Sequence, residues 1–533
     1  MTMTRLLSGT AALALWAGAA AADYTLHVLH INDFHSRIEP INRFDSTCAA
    51  AEEAEGKCFG GVARLATAIR DLRARLAAEG GNVIVLDAGD QYQGSLFYTT
   101  YKGAAEAEFM AAIGFDAMAV GNHEFDDGPD GLAVLLDRVR FPVISGNIDT
   151  DRAAALGGRV LPHVVLEVGG EKIGLVSALT TDTQDIASPG PDITFHPEAE
   201  ALARDVAALT AQGVNKIIAL THVGLPKDMQ IAASVAGIDA VVGGHSHTYL
   251  SASDPARRGA YPIFVSGQGG ALVPVVQAYA YGKYLGHLEL TFDAAGNLLH
   301  AQGDTILIDA SFAPDPAIAA RVQELAGPID AVRQRVVAEA AAEIIGSREV
   351  CRTMECPMGN LVADAMLDRV RAQGIQIAIQ NGGGLRASID AGPVTMGEVL
   401  AVLPFQNTLS TFFVTGAAVL AALENGVSKV EEGSGRFPQV AGLKYTFDPG
   451  RPAGQRVSDV MVAEGGAFVP LDPARTYGIV SNNFVRQGGD GYRMFVAAEN
   501  AYDYGPDLAD VTAEFLMKSG PYTPATDGRI TRK

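Results

Sequence analysis

Eight polar residues in the first half of this chain each follow a short apolar run. They are Asp33 and His35 in INDFHS, Asp90 in DAGDQ, Asn122 and His123 in GNHE, His222 in ALTHVG, and His245 and His247 in GGHSH. Taken singly, each has an ordinary role, since Asp and Asn cap helices and a lone His is more often solvated or packed than a ligand. Jointly they point elsewhere. The whole chain has 11 histidines, and five of them fall beside Asp or Asn where strands should end. Imidazole nitrogen with carboxylate and carboxamide oxygen is a donor set for zinc, manganese or iron. Seven ligands from these eight residues are too many for one tetrahedral ion but suit two ions sharing a carboxylate. Two metals about 3.5–4 Å apart can hold an attacking oxygen and a phosphoryl oxygen for in-line displacement. Asp90 is the expected bridge, because the strand before it is central among these runs.

The elements that must place these groups repeat one pattern from Tyr24 to about Ala271. An apolar run of strand length is followed by a polar or Gly-containing turn, and then often by an amphipathic helix. The runs include YTLHVLHIND, NVIVLDAGD, KIGLVSAL, KIIALTHVG and DAVVGGHSH; the helices include Val62 to Ala78 and a segment ending at Gly213. This predicts an α/β domain over 23–314 whose ligands gather at strand ends. A helical connector is expected over 315–343, broken only at Gly327 and Pro328, and a second mixed domain over 344–533.

Length and composition bound the reading. A chain of 533 residues exceeds what one core usually organises, and 48% hydrophobic with 19% charged residues suits a folded enzyme. Residues 1–22 read as a secretory signal: Arg5 precedes a short apolar core, and alanines end it at Ala22. No other long apolar run and no lipid-anchor signal appears, so the mature product is expected in the periplasm or outside the cell, without a membrane anchor. In that oxidising space Cys48 with Cys58, and Cys351 with Cys356, are expected to form two local disulfides. A net charge of −21 without a basic run argues against nucleic acid as partner.

The second half offers what a nucleotide requires. Arg352 in CRTMEC and Arg386 in NGGGLR are forks for phosphate and ribose oxygens. The glycines after Asn381 let backbone approach a ligand. Phe405 and Phe484 are aromatic faces that could sandwich a base, and Asp490 in GGDGY can accept ribose hydroxyls. Each also has an ordinary reading, as a core ring or a turn glycine.

The ordered set D-x-H, GD, GNHE, H and GHSH resembles the signature of metallophosphoesterases with a calcineurin-like fold. More narrowly, LHINDFHSR, DAGDQYQGS, GNHEFDDG, GGHSHT, VPVVQAYAYGKYLGHL, NGGGLR and GGDGY resemble the two-domain 5′-nucleotidases, including the vertebrate ecto-enzymes, from about Leu26 to Tyr492. The resemblance implies a β-sandwich with flanking helices, joined by a helical linker to an α/β substrate-binding domain. It implies one ion on Asp33, His35, Asp90 and His247, and a second on Asp90, Asn122, His222 and His245. Zinc is the first choice, with manganese or another divalent ion as alternatives; some members carry Gln or Asn where His247 stands.

By the same resemblance His123 faces the phosphate rather than a metal, and Asp126 orients its ring. Helix capping is left to Asp127 or Asp130, although Asp126 could itself be a cap. Phe405 and Phe484 would clamp the base, Asn381 would contact it, and Arg352, Arg386 and Asp490 would bind ribose or phosphate. The Cys351–Cys356 bridge would fix the loop that carries Arg352. A joint near Gly327 and Pro328 would carry the nucleotide to the ions.

The implied reaction is hydrolysis of nucleoside 5′-monophosphates such as AMP for extracellular salvage. Hydrolysis of UDP-sugars or nucleoside polyphosphates, and 2′,3′-cyclic phosphodiester cleavage, remain open within the fold. Thiosulfate-ester hydrolysis needs no base clamp and fits less well. A nucleotide-binding periplasmic protein without catalysis would be expected to have lost Asp90 or His123, and both are present.

Overall fold

The computed structural model describes residues 23–42, 45, 48, 50–403, 405, 407–503 and 505–533; the expected signal at 1–22 lies outside them. Two six-stranded sheets dominate the first half. One runs in the order Leu298–Leu307, Tyr284–Phe292, Tyr24–Ile31, Asn82–Asp87, Ala117–Ala119 and Val143–Ile144. The other runs Ile263–Ser266, Leu272–Val276, Ala240–Gly243, Ile217–His222, Glu171–Leu179 and His163–Val168. Alternation decides which face meets which layer. Leu26 and Val28 point into a core shared with Ile84, Leu86, Ile173, Leu175, Ile218, Leu220 and Val242, while Leu29 and Ile31 point to the other side. On that other side lie the helices Val62–Ala78 and Ala104–Ile113; Glu198–Ala211 and Leu225–Ser234 cover the outside of the second sheet. The result is the expected sandwich with flanking helices.

In each sheet the inner strands are parallel. Tyr24–Ile31 pairs in parallel with Asn82–Asp87, and Ile217–His222 with both Glu171–Leu179 and Ala240–Gly243. Parallel neighbours end at the same edge. The loops bearing Asp33, Asp90, Asn122, His222 and His245 therefore emerge side by side.

The connector differs from expectation in two ways. Its helix, Pro316–Arg333, continues through Gly327 and Pro328 instead of breaking there; a proline removes one intrahelical hydrogen bond, which the rest of the helix can carry. The run then turns extended, because Val336–Ala340 pairs antiparallel with Gly392–Thr395. Val337 and Ala340 are buried and Val336 is exposed, with a register shift between Val336 and Ala338, and the pairing overrides a composition favourable to helix.

Beyond it lies a five-stranded sheet in the order Pro438–Ala441, Ile377–Asn381, Thr476–Asn482, Leu409–Thr415 and Glu499–Tyr502. The helix Pro357–Val370 packs into one core and Gly416–Val427 into another. Both expected disulfides are present, Cys48–Cys58 and Cys351–Cys356.

Candidate active site

The loops at the shared strand edge bring the first-half candidates into one buried cluster. Donor atoms of Asp33, His35 and His247 lie within 4.8 Å of one another, as do those of Asp90, His222 and His245. His247 Nε2 is 3.1 Å from Asp33 Oδ1 and 2.9 Å from His35 Nε2. On the other side His222 Nε2 is 3.1 Å from Asp90 Oδ2, and Asn122 Oδ1 is 2.8 Å from His245 Nδ1. Asp90 stands between the halves, since its Oδ2 is also 3.9 Å from His35 Nε2.

Backbone conformation separates these residues from ordinary loop positions. Asp33 (φ 52°), His35 (49°), Asp90 (59°), His245 (76°) and His247 (48°) are all left-handed although none is glycine. Such conformations cost of order 1–3 kcal/mol each and persist where surrounding structure imposes them. At Gly121 the constraint is space: an added Cβ would overlap the Asp90 carboxylate and backbone, so only glycine lets the two loops touch.

The rings are aimed by their second nitrogens. His222 Nδ1 meets the Ala88 carbonyl at 2.7 Å and His35 Nδ1 that of Tyr92 at 3.1 Å. Each arrangement turns Nε2 inward, as metal-ligating imidazoles are held. Asp90 Oδ2 and His222 Nε2 are buried and, apart from their 3.1 Å contact with each other, have no hydrogen-bond partner, an arrangement that a bound cation would complete. The donor set therefore fits divalent transition ions. Burial works against charge on the Asp33 and Asp90 carboxyls, but the neighbouring imidazoles outweigh it and hold both below the usual carboxylate range.

His123 lies beside the cluster on a turn of 3-10 helix, with Nδ1 2.7 Å from Asp126 Oδ2 and its ring edge-on to His35. Burial pulls its basicity down, but the carboxylates of Asp126 and Asp90 more than offset this and hold it up at about 9. Asp126 thus faces the ring. Asp127 occupies the N-cap of the helix Gly128–Leu136 without capping it; its carboxylate accepts the Tyr98 hydroxyl at 2.9 Å.

Sequence reasoning passed over Glu124, the last letter of GNHE. Its buried carboxylate accepts the backbone N–H of Gly121 (2.7 Å), Gln91 (2.8 Å), Asp90 (3.0 Å) and Tyr92 (3.3 Å), pinning the two ligand loops together. Its place inside the GNHE motif itself was the available signal. Tyr281, whose ring lies 5.9 Å from His35 and 5.5 Å from His247, was also passed over. So was Tyr502 of the second half, whose hydroxyl burial pushes up and Asp126 pushes further.

The second-half candidates gather on loops after adjacent parallel strands, Ile377–Asn381 and Thr476–Asn482. Asn381 Nδ2 donates to Asp490 Oδ2 at 2.7 Å, and Asn482 Nδ2 donates to Asn381 Oδ1 at 2.9 Å. The Arg386 guanidinium lies over the Phe405 ring at 5.3 Å. Phe484 is 46% exposed and its ring leans on Gly489, where any Cβ would collide. Arg352 is held differently. Its loop is tied by the Cys351–Cys356 bridge and by Gln439, whose Nε2 donates to the Cys351 and Met354 carbonyls at 2.9 and 2.8 Å. Gly382, next to Asn381, sits against the Cys351 carbonyl. Thus Asn381 with Asp490, and Arg386 with Phe405, are directly joined, while Phe484 and Arg352 flank them from separate loops.

Comparison with known proteins agrees with this layout. A calcineurin-like phosphoesterase model matches residues 26–249 and a 5′-nucleotidase C-terminal domain model matches 336–497. The chain is 39% identical to the human protein named 5′-nucleotidase, over 97% of this chain and 92% of that one. The solved 5′-nucleotidase precursor of Thermus thermophilus is 42% identical, with a TM-score of 0.62, covering 96% of this chain and 99% of that one. The Haemophilus influenzae NAD nucleotidase is 26% identical with a TM-score of 0.74, over 96% of this chain and 99% of that one.

Proposed function

We propose, from the premise that this chain belongs to the two-domain 5′-nucleotidase family and is a metal-dependent phosphoester hydrolase, that it cleaves nucleoside 5′-monophosphates such as AMP to nucleoside and phosphate. The observation that carries the reading is Asp90, whose buried Oδ2 meets His222 Nε2 at 3.1 Å and lies between an Asp33, His35 and His247 group and an Asn122, His222 and His245 group. These seven residues would hold two divalent ions with Asp90 shared. When bound, the ions supply Lewis acidity and a nucleophile at neutral pH.

The chain's own residues supply the remainder. His123, kept protonated and oriented by Asp126, donates a hydrogen bond to the phosphoryl or leaving oxygen as charge builds there. Phe405 and Phe484 take the base between two π-faces, worth about 1–3 kcal/mol per ring by truncation. Asn381 and Asp490, already bonded to one another, present a carboxamide and a carboxylate to base and ribose. Arg352 and Arg386 face ribose or phosphate oxygens. A movable joint in the connector 315–343, whose helix runs unbroken through Gly327 and Pro328, would bring a nucleotide held by residues 344–533 to ions held by 23–314.

Among the described residues no helix is long and apolar enough to cross a membrane. The leader expected at 1–22 from the sequence supports work in the periplasm or outside the cell, on nucleotides to be salvaged. A second reading, nucleoside diphosphates or UDP-sugars as substrates, is favoured by the likeness to a protein described as an NAD nucleotidase. Phosphate release from AMP, UDP-glucose and 2′,3′-cyclic AMP by metal-stripped protein resupplied with Zn²⁺ or Mn²⁺ tests both. Metal-restored release fastest with AMP is expected. Release confined to another substrate would reassign the clamp, and no metal-dependent release would overturn the reading.

A further inference from the structure

Three histidines outside the active site, His27, His30 and His287, gather on the paired strands Tyr24–Ile31 and Tyr284–Phe292. His30 turns inward to the Tyr261 hydroxyl at 2.8 Å. The other two lie on the opposite face of the sheet, His27 buried and His287 half-buried. His27 is directly opposite Glu289 in the register and Leu29 is opposite His287, so His27, His287 and Glu289 share one face as a cross-strand pair and its diagonal neighbour.

His27 Nδ1 and His287 Nε2 are 3.1 Å apart, and Glu289 Oε2 is 3.8 Å from His27 Nδ1. Two nitrogens bound to one tetrahedral ion at about 2.0–2.1 Å stand roughly 3.3 Å apart. The two ring nitrogens are therefore already at ligand spacing, and the Glu289 carboxylate stands nearest His27. Burial and the neighbouring His27 keep the His287 ring below its ordinary basicity, so its lone pair is available at neutral pH. His287 and Glu289, with Gln302, Gly303 and Tyr261, line a cleft of about 500 Å³, and the buried His27 is reached through them. Gln302 Nε2 donates to Glu289 Oε1 at 3.0 Å, the outer support a ligating carboxylate has in known metal sites.

We propose that His27, His287 and Glu289 form a third metal site, separate from the active centre and suited to zinc or another imidazole-preferring divalent ion. Each ring nitrogen and the carboxylate give a lone pair to the ion, and the ring that donates in the His27–His287 contact carries its proton on its other nitrogen instead, exchanged through solvent, so both rings stay neutral. The ion ties the strand that leads into Asp33 and His35 to the strand that follows Tyr281. It acts as a staple of the scaffold and does not touch the reacting atoms.

The test is metal content per chain of full-length protein equilibrated with micromolar Zn²⁺, for wild type, Glu289→Gln and the double variant His27→Gln with His287→Asn. The double variant is expected to hold one equivalent less than wild type, and Glu289→Gln to lose that equivalent at lower chelator concentration, with the metal-restored hydrolysis rate unchanged in both. The difference between proteins is the reading, so the total in the active centre does not enter it. Equal metal content in all three would overturn the proposal. If the double variant fails to fold, His287→Asn alone decides: wild type should gain Tm as Zn²⁺ is added beyond active-site saturation and the variant should not, and equal gains would again overturn it.

Discussion

The two candidate halves of the active site are built on opposite plans. Around Asp90 the side chains are buried, aimed by backbone carbonyls and set on left-handed backbone at the ends of parallel strands from two facing sheets. Around Asn381 they come from separate loops, and one of them, Phe484, is 46% exposed. Charge development on phosphorus demands fixed geometry, because a misplaced group loses its advantage over water. Stacking on a base tolerates adjustment, since every base has a π-face. Reactivity and selectivity are thus separable in this chain, and substitutions should divide accordingly.

The largest effect is expected at the shared carboxylate. Asp90→Asn should lower kcat/KM for AMP by more than about 10³-fold and reduce metal per chain, measured together by phosphate release and metal analysis. If the variant kept both, the two groups of ligands would not share Asp90 and the division would collapse. Next, His123→Ala should lower kcat by roughly 10² to 10⁴ while leaving metal content intact. Loss of metal instead would make His123 a ligand.

On the recognition side the expected effect is smaller and of another kind. Phe484→Ala should cost about 1–3 kcal/mol, appearing as a raised KM for AMP with little change in hydrolysis of a phosphate ester that lacks a base. An equal loss on both substrates would mean that the ring supports the fold, not the base. The smallest effect is expected from mild reduction of Cys351–Cys356. It should raise KM for AMP a few-fold at constant kcat, because Gln439 still holds both ends of the Arg352 loop through its bonds to Cys351 and Met354. A change in kcat would tie that loop to the chemistry.

The same division governs what could be read from sequence. Strand-end histidines were legible because metal donors are few in kind and the continuous apolar runs before them fix where each strand stops. Glu124 was not, since its task is to receive N–H groups from loops more than 30 residues away, and no local pattern announces such a partner. Nor was the strand Val336–Ala340, whose residues suit a helix and become extended only by pairing with Gly392–Thr395. In the second half residue types could be named, but their pairing, Asn381 with Asp490 and Arg386 with Phe405, depended on how the loops come together.

The left-handed aspartates and histidines carry a practical consequence for anyone breeding a hardier version of this protein. Replacing Asp33 or Asp90 with glycine would relax backbone that the native side chains hold under tension. A screen that rewarded survival of heat alone would therefore favour such changes and select well-folded, inert molecules. Assay of turnover has to accompany every round, because the positions where the chain is least comfortable are the ones that make it an enzyme.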